Sequence, residues 1–206
     1  REPVIVGVLA NTDSQGKWGL ATANSLQPAA IRTYLRGGPG APSARQLAEA
    51  GVAPGEVVEV SLAGFAAELT RHSCDVVVLA LPGDAVQAVL QSFAAEWTSP
   101  RRPIVVTGYV GVVYERVVEG LYQRAGADIV VANSPADAET FSGLLDAIGY
   151  PADAVVTEPL PFLDAPAAPR GSALTFAAQP DVPSRRADRT YLVRRLAQYA
   201  RRHPER

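Results

Sequence analysis

The chain has 206 residues, with 19 Lys and Arg, 21 Asp and Glu and one cysteine, a length that suits one α/β domain or one domain and part of a second. Its net charge of −2 gives no global pull toward nucleic acid or an anionic membrane. The single Cys74 excludes an intrachain disulfide framework and points to a reducing, cytoplasmic setting, and no apolar run approaches the roughly 20 residues of a membrane span.

Short β-branched runs at Pro3 to Ala10, Ala29 to Leu35, Glu56 to Val60, Asp75 to Leu81, Pro103 to Thr107, Asp128 to Ala132 and Ala154 to Thr157 alternate with helix-like stretches. That alternation predicts βαβ units and a mostly parallel sheet. "CDVVVLALPG" and "ADIVVANSP" read as continuous apolar strands covered on both faces, as a central parallel strand requires. In "NSPADAETF", Ser134, Pro135 and Asp137 supply an N-cap, a proline at the first helical position and an acid at the third. Asp84, after "LPG", is expected to cap the helix through Phe93 in the same manner.

Residues 1–160 are thus expected to form the α/β domain, followed by a Pro-rich linker at 161–172. A trailing unit at 173–206 then holds a strand, Ala173 to Ala178, and a helix from about Arg186 to Arg202. That helix puts Leu192, Leu196 and Tyr199 on one face and turns its arginines to water. A lone β-α unit after a linker reads as the start of a second, truncated domain.

In an open parallel sheet, ligands bind beyond the carboxyl ends of the strands. The informative residues are therefore Asn11 to Lys17, Pro82 to Asp84, Gly108 to Gly111, and Asn133 with Ser134. "NTDSQGKWG" contains Lys17, the only lysine in the chain, followed by one of two tryptophans. It has neither the dinucleotide G-x-G-x-x-G fingerprint nor the phosphate loop ending in Gly-Lys-Ser/Thr. It offers a carboxylate to accept a bond from a substrate hydroxyl or to withdraw its proton, a cation, an indole face for sugar carbons, and glycines at Gly16 and Gly19. An alternative stays open: Asp13 or Ser14 caps the first helix, Trp18 packs in the core and Lys17 snorkels to water. "TGYVG" is either a plain glycine turn, with Gly108 and Gly111 at positive φ, or a set of amides that cradles an oxyanion. No G-x-S-x-G elbow and no metal-ligand spacing occurs, so neither an α/β-hydrolase nor a zinc site is indicated.

"NTDSQGKW", "LALPGDAV", "VVTGYVGVVYERVVEGLYQRAGADIVVANSPAD", "LPFL" and "LTFAAQPDVPSRRADR" together resemble an actinobacterial glycosyltransferase family that is defined by sequence and has little assigned chemistry. The resemblance runs over nearly the whole chain. It implies similarity to two-domain GT-B enzymes about twice this length. In these a Rossmann-like, doubly wound N-terminal domain holds the acceptor and often the base, a second domain holds most of the nucleotide-sugar donor, and metal is usually not required. Carried over residue by residue, Asp13, Ser14, Lys17 and Trp18 fall on an Asp-Ser-x-x-Lys-Trp motif. Gly108 and Gly111 fall on a glycine-bearing loop, where Tyr109 and Val110 replace the expected Leu-Pro. Ser134 lies after the sixth strand, and Gln179 and Pro180 open the second domain.

The resemblance therefore implies the acceptor-side half of a GT-B-like glycosyltransferase. Asp13 is the candidate base, Lys17 steadies a phosphate or carboxylate, and Trp18 stacks on substrate or shapes the pocket. Ser14, Gly108, Tyr109, Gly111, Ser134 and Gln179 complete the substrate-binding set. The expected partners are a nucleotide-sugar and a hydroxyl acceptor, with no cofactor beyond the donor, no metal and no nucleic acid, and with most donor contacts left to the missing C-terminal domain. The rival readings are a nucleotide-sugar epimerase or polyol-phosphate transferase of the same fold, a non-catalytic nucleotide- or sugar-binding module, and a plain interaction domain.

Overall fold

A computed structural model of the chain describes residues 3–53, 55–93, 97–98, 102–111, 117–160 and 183–203. It divides into two compact units, Arg1–Asp164 and Ala165–Arg206. In the first, β1 (Ile5–Ala10), β2 (Ala30–Arg36), β3 (Val57–Val60), β4 (Val76–Ala80), β5 (Ile104–Gly108), β6 (Ile129–Ala132) and β7 (Val155–Thr157) form one sheet. The order is β3-β2-β1-β4-β5-β6-β7, with every neighbouring pair parallel. All seven predicted runs are strands. The order reverses between β1 and β4, which makes this a Rossmann-like, doubly wound α/β sheet with its switch point beside β1.

Six helices of this unit are described: α1 (Asp13–Ser25), α2 (Ala44–Glu49), α3 (Leu62–Arg71), α4 (Gly83–Ser92), α5 (Val117–Tyr122) and α6 (Pro135–Ala147). Alternate strand residues face opposite sides, so each strand feeds two cores. On one side, Trp18, Leu20 and Ala23 of α1 pack on Val6, Val8, Val76 and Val78, joined by Leu160 from the segment after β7. On the other, Phe65 of α3 and Val86 and Val89 of α4 pack on Leu9, Val77, Leu79 and Val105. Leu121 of α5 and Phe141 and Leu145 of α6 cover Val130 and Ala132. The double coverage is why β4 reads as five apolar residues in succession, all of them buried. Helix α1 lies so close to the sheet that a Cβ on Gly19 would stand 2.7 Å from Val8 Cγ1 and 2.8 Å from Ala80 Cβ.

Two expected caps need correction. The N-cap of α1 is Thr12, not Asp13 or Ser14: Thr12 keeps extended backbone (φ −128°, ψ 168°) and its hydroxyl accepts from Gln15 N, while Asp13 is already helical. Asp84 does not cap α4. Pro82 occupies that position without any side-chain acceptor, and Asp84 lies inside the first turn, where it complements only the helix dipole. Ser134 caps α6 as expected, accepting from Asp137 N, with Pro135 at the helix start.

In the second unit, α7 (Arg186–Arg202) has the predicted bounds and no buried residue. Its arginines face water or are half-covered, and so are Leu192, Leu196 and Tyr199. The predicted strand at Ala173 to Ala178, the linker at 161–172 and Gln179 lie outside the described residues. Among the described residues no helix is long and apolar enough to cross a membrane.

Candidate functional site

Because β1 is interior, the turn from Ala10 to Asp13 emerges between the tips of β2 and β4. Asp13 and Lys17 occupy positions i and i+4 of α1 and therefore share a face. The Lys17 ammonium lies 2.9 Å from Asp13 Oδ2, with the two side chains 31% and 28% exposed. Glu49, at the end of α2, brings Oε2 to 3.9 Å from the same ammonium. Ser14 is exposed, with its hydroxyl 3.4 Å from Thr12 Oγ1. The result is a compact cluster of two carboxylates, one ammonium and two hydroxyls, half open to water. In the first turn of α1, Gln15 also keeps a buried Oε1 with no hydrogen-bond partner among the described residues.

Trp18 behaves differently from its neighbour. It is 1% exposed, and a Cβ on Gly108 would fall 2.6 Å from its Cζ2. The indole therefore stands as a wall beneath the tip of β5 and offers no open face to stack on a sugar ring. It also borders a hollow of about 480 Å³ between α1 and the chain after β7, which Thr22, Ser25 and Glu158 line as well.

Among the glycines of "TGYVG", Gly111 has φ +108° and Gly108 is absent from the positive-φ residues. Gly108 is required instead by close approach, since its Cβ would also meet Val131 O at 2.8 Å. Tyr109 turns its hydroxyl to Val117 O at 3.1 Å and its ring to Phe141, 5.1 Å between centroids. Ser134 spends its hydroxyl locally, donating to Asp137 Oδ2 at 2.8 Å while accepting from Asp137 N.

Two side chains organise this corner: Asn133, noted in the sequence only for its place after β6, and Arg124, which the sequence reading missed. Asn133 Nδ2 donates to Tyr109 O at 3.0 Å and Gly111 O at 2.7 Å. Arg124, 4% exposed, donates through Nε to Gly108 O at 3.0 Å, through Nη1 to Gly120 O at 2.8 Å and through Nη2 to Leu81 O at 3.4 Å. Its guanidinium also lies 4.2 Å from the Tyr109 ring centroid, a cation–π contact in a desolvated place. Burial pulls the Arg124 pKa down against the opposing influence of Tyr109, and burial pushes the Tyr109 phenol up. The guanidinium nonetheless remains a cation at neutral pH. Among the described residues no carboxylate pairs with it, and no three His, Cys, Asp or Glu side chains gather as metal ligands.

A family model described as "Putative glycosyltransferase (DUF6716)" matches residues 6–206. The chain belongs to that family. No curated protein matches it. A solved structure described as "a putative oxidoreductase from Magnetospirillum magnetotacticum MS-1" is 18% identical, with a TM-score of 0.35, over 76% of this chain and 38% of that one. The chain therefore spans well under half the length of that protein.

Proposed function

We propose that this member of the glycosyltransferase family is the acceptor-side half of a GT-B-like enzyme, whose further domain supplies most contacts to a nucleotide-sugar donor. The observation that carries the reading is the Asp13–Lys17 pair, half-exposed just beyond the tip of an interior strand at the switch point. Lys17 lies on Oδ2, and the described residues place no donor on Oδ1. In this reading Oδ1 takes the proton of the acceptor hydroxyl as that oxygen bonds to the anomeric carbon, and the nucleotide leaves with the electrons of the broken glycosidic bond. The Lys17 ammonium orients the carboxylate and steadies a phosphate or carboxylate on the substrate. Ser14 and the loop Gly108–Gly111 border the substrate, and Trp18 shapes the pocket from beneath. Ser134 and Gln179 remain in the proposed binding set, Ser134 through the segment it caps.

The test uses the longer protein that this reading implies. With a panel of nucleotide-sugars, Asp13→Asn abolishes release of nucleotide coupled to glycosylated product, while Tm stays within about 2 °C. Product formed without an acceptor would point to an epimerase instead. Unchanged turnover in both Asp13→Asn and Lys17→Ala would take the chemistry away from this turn and favour a binding role for this half of the enzyme.

A further inference from the structure

The hollow of about 480 Å³ between α1 and the chain after β7 takes no part in the chemistry proposed for the first turn. Thr22 follows Asp13 by about two and a half helical turns, so it faces the opposite side of α1, about 14 Å further along the axis. The volume falls within the range of small-molecule sites, roughly 300–1,000 Å³. Trp18, Ala21 and Pro159 give the hollow apolar walls, and Thr22, Ser25 and Glu158 give it polar ones. The far wall is tied to the sheet, because Glu158 N donates to Ala132 O at 2.9 Å.

Thr22 is the informative residue among the four threonines of the described helices. Thr70, Thr140 and Thr190 are exposed, and each donates its hydroxyl to the carbonyl four residues earlier, the ordinary local outlet for such a group. Thr22 is only 7% exposed, yet its hydroxyl has no partner among the described residues. Nor is that hydroxyl sealed away, as Gln15 Oε1 and Asn133 Oδ1 are. It therefore keeps access to open space, and the space that Thr22 borders is the hollow. The same holds of the Trp18 indole N–H, unpartnered among the described residues although the side chain is almost wholly buried. Both groups stand ready in a recess, where a ligand that pairs them displaces water.

The partners on offer define the occupant. Thr22 can give and accept, and the indole N–H can only give. Ser25 spends its proton on Thr22 O at 2.8 Å and is left to accept, as is the Glu158 carboxylate. A ligand that meets all four carries several groups able both to donate and to accept, set on a C–H surface that suits Ala21 and Pro159. Hydroxyls on a ring have that character. Among the described residues Glu158 is the one charged side chain lining the hollow, and it repels phosphate and carboxylate. It is also exposed, so an ammonium gains little from it. We propose that this hollow is a binding site for a neutral sugar ring, separate from the Asp13–Lys17 turn. The site goes beyond the transferase reading: it docks a sugar away from the proposed base, as part of a longer carbohydrate, and does not present the reacting hydroxyl.

The experiment is a titration of the ¹⁵N-labelled 206-residue chain with the methyl glycosides of glucose, mannose and galactose, each to about 50 mM, because one small ring binds in the millimolar range. At least one is expected to give saturable shifts at the Trp18 indole N–H and at the amides of Thr22, Ser25 and Glu158, while the Trp97 indole stays still. No saturable shift with any of the three would overturn the site. Thr22→Val is expected to weaken binding about tenfold and to leave Tm unchanged or slightly raised, since valine keeps the shape without an unpaired hydroxyl. The 6-phosphate of the glycoside that binds should bind at least tenfold more weakly, and Glu158→Gln, a surface change, should narrow that gap. If Thr22→Val does not fold, the Glu158→Gln comparison decides. Binding that neither variant alters, or a phosphate that binds as well as the neutral sugar, would count against the proposal. Binding is read without turnover, so this site and the transferase reading can fail separately.

Discussion

The two ends of the sheet solve the same problem with opposite chemistry. Where a strand begins, its first N–H groups lack partners, and here carboxylates accept them: Asp75 Oδ2 takes Ile5 N at 2.7 Å and Asp128 Oδ2 takes Val105 N at 2.8 Å. Where a strand ends, carbonyls are left over, and donors take them: Arg124 serves Gly108 and Leu81, Asn133 serves Tyr109 and Gly111, and Thr107 Oγ1 reaches Leu79 O at 3.1 Å. A buried backbone group left unpaired costs on the order of 1–3 kcal/mol, so both ends must be closed. Closure by acids, however, needs only a carboxylate that water can also reach. Closure by a buried guanidinium concentrates positive charge beneath the loops where a ligand of this fold class binds. The amino end is closed by carboxylates that water also reaches, while the carboxyl end is closed by a buried cation, an amide and a hydroxyl.

The comparison breaks most sharply at Gly108, where tolerance at the carboxyl end is lowest. Gly108→Ala drives a Cβ into Trp18 and into the Val131 carbonyl, and the second contact is backbone that cannot yield without parting β5 from β6. Overpacking of this kind costs about 3 kcal/mol, which for a chain of this size lowers Tm by about 6–12 °C. Thermal unfolding followed by circular dichroism measures it. A drop below about 2 °C would show that the β5 tip is loosely packed and that Trp18 is free to move.

At the amino end the effect is smaller and depends on pH. Arg102 grips Asp128 through two bonds, Nη1 to Oδ2 at 2.5 Å and Nη2 to Oδ1 at 2.6 Å. The Arg102 hydrogen bonds, helped by Val105 N and opposed by partial burial, hold the carboxyl below its ordinary value. A carboxylate whose pKa is lower folded than unfolded adds stability above the unfolded value, near pH 4, and loses it as pH falls through the folded value. With both side chains about a third exposed, solvent screening limits the gain to roughly 1 kcal/mol. Asp128→Asn should therefore lower the urea midpoint at pH 7, and the difference from the parent should shrink as the pH drops below about 4. A gap that persists undiminished in acid would mean that shape rather than charge secures this end.

What could be read in the sequence divides along local and distant contacts. The strands were legible because burial on both faces leaves a continuous apolar run, as in Val76 to Ala80. Asp13 and Lys17 were legible as residues of one turn beyond β1, whereas the ion pair between them, four residues apart on one helix, is a finding of the structure. Arg124 was not: its acceptors Gly108 and Leu81 lie 16 and 43 residues away, and an arginine at the end of a helix in an arginine-rich chain carries no mark. The fate of Trp18 was likewise set by Gly108, a distant glycine that makes room for an indole. Asp84 was misread for a local reason, since nothing in "LPGD" says whether the helix starts before the glycine or at the acid, and the start at Gly83 left the cap position to a proline.

The smallest effect separates fold from chemistry in the first turn itself. Thr12 caps α1 through its hydroxyl, so Thr12→Ala should cost about 1 kcal/mol. Asp13 contributes only a half-exposed i,i+4 pair with Lys17 and a favourable place near the helix dipole, and Asp13→Asn should cost about 0.5 kcal/mol or less. Adjacent residues thus give a graded pair: one variant loosens the helix start while keeping the carboxylate, the other keeps the helix and removes the charge. Comparing their urea midpoints with their rates of nucleotide release from the donor tells the two roles apart. If transfer follows stability, so that Thr12→Ala is the slower enzyme, Asp13 has no chemical role. If Asp13→Asn is inactive and nearly as stable as the parent, the carboxylate itself is required at the tip of β1.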